Sequence, residues 1–215
     1  MCFELLLSGL CDTCVREQPG GGLFGFSAFF LGLSKGNLGR MSEAIATLEE
    51  AIKMGSRNGD RFWFPRMPNC IGWLHRELQD FEGARKHNEQ GLRVARQYNV
   101  LEAQANSLIN LGIDHINKGK PEETASAFDQ TREIFERDAW FRWRYNIRLE
   151  AATAWHWLRQ GDLEKGREYA QRLLDTANQH EVHKYIAEAH RLKGKIAVVA
   201  KDIANAETEF AAALD

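Results

Sequence analysis

Small and apolar residues recur along the chain at intervals of about 40 residues. A first column of small residues has spacings of 40, 40, 42 and 40 positions and consists of Gly32, Gly72, Gly112, Ala154 and Gly194. Seven positions later comes a turn column, which contains Gly39, Gln79, Gly119, Gly161 and Lys201. A third column is again small and contains Ala44, Ala84, Thr124, Gly166 and Ala206. Because columns of different chemistry share one register, the chain is predicted to contain an internal repeat.

The columns predict two helices and a tight turn in each repeat. A residue without bulk in the first helix lets the second helix approach closely, and the third column supplies the other side of that contact. The polar residues between them mark a turn, where glycine takes a positive φ at a helix end. The apolar stripe of each second helix begins just after the turn, at Met41, Phe81, Pro121, Leu163 and Ile203.

Alternating apolar and polar runs, which indicate strands, are absent from the sequence. We therefore predict an all-α fold of about ten helices in five antiparallel pairs, stacked as a right-handed superhelix. The expected units lie near 23–60, 61–100, 101–140, 141–182 and 183–215, and together they form one repeat domain over 23–215. Residues 1–22 are expected to form an N-terminal helix or an irregular lead-in.

The columns resemble the tetratricopeptide repeat, whose unit reads W-x2-L-G-x2-Y, a turn glycine, and then A-x3-F-x2-A. The pattern appears here as Ile71-Gly72-x2-His75 with Ala84, and as Leu111-Gly112-x2-His115 with Gly119. Its later positions are matched by Leu48, Ala51, Phe128, Phe210 and Ala213. Units of this length are similar to those in large bacterial signalling regulators, where a helical solenoid follows an ATPase, cyclase or DNA-binding module. The resemblance implies a sensor or scaffold role.

The composition is that of a soluble globular protein. The 215 residues include 28 Lys and Arg against 30 Asp and Glu, for a formal charge of -2, with 44% apolar and 27% charged residues. These values exclude a disordered chain, a collagen-like fibre and a disulfide-rich miniprotein. The near-neutral charge gives no electrostatic reason to expect nucleic acid or an anionic membrane as the main partner.

Signals for export or membrane insertion are weak in this sequence. No stretch approaches the ~18 apolar residues of a membrane span, and the start of the chain lacks the basic segment of a signal peptide. Cys2, Cys11, Cys14 and Cys70 are too few for a disulfide scaffold, and no second C-x-x-C follows to complete a zinc site with Cys11 and Cys14. We therefore expect a cytoplasmic protein without a metal or a cofactor.

The resemblance implies that the first helices of the repeats line a concave groove. Helical spacing from the first column places cationic, amide and tryptophan side chains in that groove. The expected groove residues are Arg66, Asn69, Trp73, Arg76, Asn106, Asn110, Ile113, Arg148, Trp155, Arg159, Glu188, Arg191 and Lys195. Arginine forks bind carboxylates and tryptophan offers a rigid contact area, so the set suits an acidic or C-terminal peptide segment. A solvated groove with scattered charges is the alternative.

Chaperone-binding tetratricopeptide domains hold peptide tails with a clamp of lysines, asparagines and an arginine. Asn69 and Asn110 resemble parts of that clamp by position. The lysine that should accompany the first asparagine is missing, because Asn69 itself occupies its place. The sequence therefore argues against a chaperone-tail clamp.

The densest aromatic and basic stretch runs from Trp140 to Tyr145 and reads W-F-R-W-R-Y. Interleaved aromatic and arginine side chains can stack on the bases of single-stranded nucleic acid. Their positions cannot all share one helical face, so some are expected to pack between repeats. Packing is the favoured interpretation, with peptide or small-ligand contact and nucleic-acid binding as alternatives.

No catalytic site is predicted. His180-Glu181-Val182-His183 resembles a zincin motif but has one residue too few between its histidines. His75 and His115 recur at the repeat's tyrosine position, which indicates a structural role. The sequence also lacks a Gly-x-Ser-x-Gly elbow and a Gly-x4-Gly-Lys-Ser/Thr phosphate loop. An enzyme is therefore not expected.

Three functions are compatible with this sequence. The leading hypothesis is a protein-interaction scaffold that binds a peptide or a partner protein in its groove. The second is a small-molecule sensor domain of a transcription or ATPase regulator, with ligand near Trp73 and Trp155, and the third is a nucleic-acid-binding repeat. No polar capping helix follows Leu214, so the chain is expected to be part of a longer protein or to self-associate through its C-terminal face.

Overall fold

The computed structural model describes residues 21–137 and 142–214, and within these ranges the chain is helical and contains no strand. A single turn of 3-10 helix, Phe64–Arg66, leads into the third α-helix. The α-helices in chain order are α1 (Gly21–Asn37), α2 (Met41–Asn58), α3 (Met67–Glu77), α4 (Phe81–Gln97), α5 (Leu101–Asn117), α6 (Pro121–Arg137), α7 (Arg142–Gln160), α8 (Leu163–Gln179), α9 (His183–Val199) and α10 (Ile203–Ala212).

The helices form five helix–turn–helix pairs, α1 with α2 through to α9 with α10. Each pair is joined by a short turn whose central residue takes a positive φ. The values are 78° at Gly39, 61° at Gln79, 67° at Gly119, 78° at Gly161 and 63° at Lys201. This left-handed residue frees the chain to reverse at the end of the first helix, as the turn column predicts.

Three of the second helices begin with an aspartate cap. Asp80, Asp162 and Asp202 each accept a hydrogen bond from the backbone N–H three residues later, at 2.9, 3.0 and 3.2 Å. These bonds satisfy one of the N–H groups that a helix start leaves without an intrahelical partner. The backbone N–H of Gly83 and that of Lys165 also hold the pKa of Asp80 and of Asp162 below the usual range.

The chain divides into two compact units, the first ending at Asn110 and the second beginning at Leu111 within α5. The core of unit 1 is built by α1, α2 and α3 and contains Ala28, Ala44, Leu48, Ala51, Met67, Cys70, Ile71 and Leu74. The core of unit 2 is built by α7, α8 and α9 and contains Ile147, Ala154, Ala170, Leu173, Leu174, Ala189, Leu192 and Ile196. Each unit therefore has apolar packing of its own.

The small-residue columns lie buried where paired helices meet. A Cβ atom built on Gly32 would lie 2.6 Å from Leu48 Cγ, and one built on Gly194 would lie 2.7 Å from Phe210 Cε1. Gly112 lies against the Phe128 ring in the same way, and Gly72 against the Asn88 amide. In each of these four pairs the facing residue stands 16 positions after the glycine. The small residues Ala44, Ala84, Ala154, Gly166 and Ala206 are also buried.

Candidate functional site

Unit 2 contains a cavity of about 360 Å³ on the face that α7 and α9 share, with Ile113 of α5 at its edge. We call it the α7–α9 cavity. Its apolar wall is formed by Ile113, Ala151, Ala152, Trp155 and Tyr185. Its charged rim is formed by Arg148, Lys184, Glu188, Arg191 and Lys195. Besides Ile113, five of the groove residues expected from the sequence line this cavity: Arg148, Trp155, Glu188, Arg191 and Lys195.

The rim carries four cationic side chains and a single carboxylate. That carboxylate, Glu188, accepts two hydrogen bonds from Arg191, from Nε at 2.7 Å and from Nη2 at 2.5 Å. The ion pair lies within α9, between residues three positions apart. The cavity therefore has an excess of positive charge beside an aromatic wall.

Two cations lie over the Trp155 ring. The Lys195 ammonium is 4.7 Å from the ring centroid and the Arg159 guanidinium carbon is 5.9 Å from it. Burial and the neighbouring Arg191 lower the pKa of Lys195. A cation held on an indole face in a partly desolvated position is oriented by the ring, which gives the cavity a fixed site for an anionic group.

The groove residues expected in unit 1 have a different environment. Arg66 is buried, its Nη2 donates to Glu102 Oε2 at 2.7 Å, and its guanidinium lies 4.0 Å from the Phe62 ring centroid. Arg76 Nη2 donates to the carbonyl of Asn110 at 3.0 Å. Trp73 is half-buried and donates from Nε1 to Glu77 Oε1 at 2.9 Å. Arg66 and Arg76 therefore each bond to residues of α5, whereas the bond of Trp73 stays within α3.

Asn69 and Asn110 lie inside unit 1 and bond there. Asn69 is 1% exposed and accepts a hydrogen bond from the Ser107 hydroxyl at 2.9 Å, and its amide donates to the Ala103 carbonyl at 3.4 Å. Asn110 is 2% exposed and donates to Asn88 Oδ1 at 3.2 Å. Asn106 is half-buried on the same helix. The two buried amides are therefore not displayed on a surface, because Asn69 of α3 faces α5 and Asn110 of α5 faces Asn88 of α4.

Lys184 and Tyr185 belong to the cavity, but the sequence reasoning did not select them. They precede Glu188 by four and three positions, so they lie on the same face of α9. Extending the helical spacing one turn toward the start of α9 would have found both. The expected groove residues are placed by their distance from the first column of small residues, and none of them lies in that turn of α9.

A second, more polar cavity of about 190 Å³ lies between α6, α7 and α8 of unit 2. Glu150 lines it, and burial raises the pKa of that carboxyl, which accepts a hydrogen bond from Asn146 Nδ2 at 2.9 Å. Two of its arginines already bond to carboxylates, Arg132 to Asp129 at 2.6 Å and Arg172 to Glu168 at 2.5 Å. The α7–α9 cavity is the better candidate because it is larger and combines an aromatic wall with a rim that has more cations than carboxylates.

In the part of the aromatic stretch that the structure describes, one aromatic side chain is buried and the other is 46% exposed. Tyr145 is buried, and the Trp143 ring stacks on His180 with centroids 4.7 Å apart. Trp140 and Phe141 lie outside the described residues, as do Cys2, Cys11 and Cys14 and the chain start. Cys70 is buried, and its thiol donates to the Arg66 carbonyl at 3.6 Å.

His75, at the repeat's tyrosine position, contacts two neighbouring polar side chains. His75 Nδ1 lies 2.8 Å from Asp80 Oδ2, and its ring stacks on His87 with centroids 5.0 Å apart. Across 21–137 and 142–214, no group of three or more His, Cys, Asp or Glu side chains is arranged to hold a metal ion. None of the helices there combines the length and apolar character that crossing a bilayer requires.

The helical pairs are similar to those of known repeat proteins. Residues 27–54, which span the end of α1, its turn and most of α2, match the tetratricopeptide repeat. BtubC from P. vanneervenii is similar in structure, with a TM-score of 0.68 and 16% identity over 90% of this chain and 79% of that one. The fold is a tetratricopeptide-type helical repeat. No curated protein matches the chain in sequence.

Two further structures share this tetratricopeptide-type fold. One is a Rap protein complexed with competence and sporulation factor, with a TM-score of 0.69 and 13% identity over 98% of this chain and 59% of that one. The other is a tetratricopeptide repeat protein from Parabacteroides merdae, with a TM-score of 0.56 and 16% identity over 99% and 89%. The chain thus spans less than two thirds of the Rap chain. At these identities the likeness establishes the fold.

Proposed function

We propose that this protein is a non-catalytic interaction scaffold that binds an acidic segment of a partner protein in the α7–α9 cavity. The single observation that carries the proposal is the excess of cations around Trp155, with Lys195 on the ring and the only rim carboxylate already bonded to Arg191. A carboxylate of the partner would meet these cations, and an apolar side chain next to it would contact Trp155 and Tyr185.

The helical scaffold supports this function because it holds the cavity in place before the partner arrives. Trp155 packs against the buried core that α7, α8 and α9 form around Leu173 and Leu192. A preorganised site loses less conformational entropy on binding than a flexible one does. The similar Rap protein is complexed with competence and sporulation factor, which is consistent with a binding role for this fold. We further propose that the scaffold works in the cytoplasm within a bacterial signalling regulator.

Selection of peptides from a displayed library of random 12-residue sequences tests the proposal. We expect the full chain to enrich segments that combine Asp or Glu with an aromatic or aliphatic residue. The double variant Arg148→Glu with Lys195→Glu should lose that enrichment, because it replaces two rim cations by anions. The binding of enriched peptides should also weaken as salt is raised.

The matched control is the double variant Lys53→Glu with Arg93→Glu, which makes the same change in net charge at exposed positions on α2 and α4. It should retain the enriched peptides. If both double variants bind equally well, or if the enriched peptides carry no acidic residue, the cavity is not the binding site we propose.

A small-molecule sensor is the second candidate function, and the volume of the cavity favours it. About 360 Å³ falls within the range of roughly 300–1,000 Å³ that small-molecule sites occupy. An aromatic carboxylate would satisfy the same cations and the same indole wall. A thermal-shift screen of carboxylate metabolites separates this candidate from the scaffold: stabilisation that is lost in Lys195→Glu, without any peptide binding, would favour the sensor.

We also propose self-association through apolar side chains near the end of the described chain. Val199 and Ile203 are each 56% exposed and Leu214 is 89% exposed. Leu214→Lys should then lower the mass measured by light scattering at a given concentration, while Glu207→Lys, an exposed change on α10, should not. A monomeric wild type, or an unchanged mass for Leu214→Lys, would overturn this proposal.

A further inference from the structure

Lys195 differs from Lys193, on the same helix, in its surroundings. Its ammonium lines the α7–α9 cavity over the Trp155 ring, and within the described residues no carboxylate forms an ion pair or hydrogen bond with it. The nearest rim carboxylate, Glu188, is bonded to Arg191. Lys193, two positions earlier, forms an ion pair with Glu209 Oε1 at 2.9 Å. Of Lys193 and Lys195, the first is therefore bound to an acid and the second lines the cavity.

The groups around Lys195 attract an anionic reagent and also make the Lys195 amine more reactive. Arg191 and Glu188 of α9 interact electrostatically with Lys195, and Arg159 of α7 lies over the same Trp155 ring. Lys184 and Arg148 line the same cavity. This positive rim raises the local concentration of small anions. Burial and the charge of Arg191 lower the pKa of Lys195, so more of the amine is neutral near pH 7 than in an exposed lysine. A neutral amine is the form that attacks a carbonyl.

We propose that Lys195 is a site of Nε-acylation by small acyl phosphates, with the rim cations holding the phosphate group of the donor. The neutral Nζ attacks the acyl carbonyl carbon and a C–N bond forms. The C–O bond to phosphate breaks, phosphate leaves with the electron pair, and the proton of the amine passes to solvent. The products are an amide at Lys195 and inorganic phosphate, and the step needs no oxidant or reductant.

Acylation would change the cavity in a defined way. It removes the positive charge over Trp155 and adds an apolar group at the mouth of the cavity. If the proposed function is correct, acylation would weaken binding of an acidic segment. The modification itself does not depend on the partner, so the two proposals can fail separately.

The experiment treats the full chain with acetyl phosphate and follows each lysine by mass spectrometry. Cleavage after glutamate releases the segment 189–207, which carries Lys193, Lys195 and Lys201 together. Lys193 is the ion-paired control, and Lys201 is the exposed control at the α9–α10 turn. We expect Lys195 to be acetylated at least about threefold faster than Lys201 and faster still relative to Lys193.

Two comparisons identify the cause of that preference. Arg148→Gln should reduce the rate at Lys195 and leave the rate at Lys201 unchanged, whereas Arg93→Gln, outside the cavity, should alter neither. With the uncharged ester p-nitrophenyl acetate, the advantage of Lys195 should shrink, because the rim no longer attracts the reagent. Acetylation of Lys195 by acetyl phosphate that is no faster than that of Lys201 would overturn the proposal.

Discussion

The central residues of the five turns share a positive φ although their side chains differ. Three of the five turns between paired helices use glycine, whereas Gln79 and Lys201 take the same left-handed angle with φ of 61° and 63°. A left-handed conformation is unfavourable for a residue with a Cβ atom by roughly 1–2 kcal/mol. These two positions are thus locally strained, and the geometry of the helix pair imposes the angle.

Replacing either residue by glycine should stabilise the protein. We expect Gln79→Gly and Lys201→Gly each to raise the free energy of unfolding by about 0.5–1 kcal/mol, since glycine accepts the angle without steric conflict. Urea titration followed by circular dichroism measures the change. Gly161→Ala is the reverse control: a Cβ there would meet no atom within 4 Å, so any loss of stability reports the angle alone. No gain for either glycine variant would show that the turns tolerate the angle freely.

The glycine of each helix pair is matched to a residue 16 positions later. Gly112 lies against the Phe128 ring, whereas the corresponding positions of the fourth pair hold Ala154 and Ala170, both buried in the core of unit 2. The bulky phenylalanine thus stands opposite a glycine, whereas the alanine of the fourth pair is matched by another alanine. Interiors are packed closely enough that added or removed atoms at such a contact change stability.

Adding bulk at Gly112 and removing it at Phe128 should have non-additive effects on the free energy of unfolding. Gly112→Ala should lower the free energy of unfolding by about 1–3 kcal/mol, because its Cβ would collide with Phe128. Phe128→Ala should lower it by about 3–5 kcal/mol through the cavity it leaves. In the double variant the added methyl group enters that cavity, so the loss should be smaller than the sum. Strict additivity in denaturant titrations would contradict the contact.

At the scale of elements, hydrogen bonds between buried polar groups stabilise contacts between helices in addition to the apolar packing. In unit 1, Asn88 of α4 accepts from Asn110, and Asn69 of α3 bonds to Ser107. In unit 2, Glu209 of α10 accepts from His190 Nδ1 at 2.7 Å and from Lys193 Nζ at 2.9 Å. Although burial alone would raise it, these two hydrogen bonds lower the pKa of Glu209.

The Glu209 cluster should make the α9–α10 pair sensitive to acid. Because the folded state lowers the pKa of this carboxyl, its contribution is complete above the ordinary value of about 4.5 and is lost as the pH falls through the folded value. Glu209→Gln should therefore lower the melting temperature at pH 6 and lose that difference toward pH 3. Glu207→Gln, exposed on the same helix, is the control. An effect of Glu209→Gln that does not depend on pH would argue against a charged role.

At the scale of the whole molecule, each unit has its own buried core. Leu48 is fully buried in unit 1 and Leu173 is fully buried in unit 2. In helical repeats each element contacts mainly its neighbours, so stability is distributed locally along the chain. A loss of packing in one unit is therefore expected to open that unit first.

Hydrogen exchange should show this local response. Leu173→Ala should lower the stability of its surroundings by about 2–5 kcal/mol and reduce amide protection mainly in α7–α9. Leu48→Ala is the matched variant and should reduce protection mainly in α1–α3. If either variant weakened protection equally in both units, the chain would be unfolding as one cooperative body.

The candidate site was predictable in unit 2 and much less so in unit 1. Arg148, Trp155, Arg191 and Lys195 meet in one cavity because they share the exposed faces of two neighbouring helices, which follow from helical spacing. Arg66, Asn69 and Asn110 satisfy the same spacing but are buried, because partners 22 to 38 residues away in sequence pack over them. Whether these predicted groove residues bind a partner is for the peptide selection to decide.

The sequence by itself determined the helices, the turns with a left-handed residue and the places where bulk is absent, because these depend on neighbours within one or two helical turns or on a regular repeat. Only the tertiary structure decided which polar side chains remain open to a ligand. That outcome depends on what approaches each helix from elsewhere in the chain, as Ser107 of α5 does at Asn69 and as Trp155 of α7 does at Lys195. Local pattern specifies a side chain's direction, and tertiary packing specifies what it meets there.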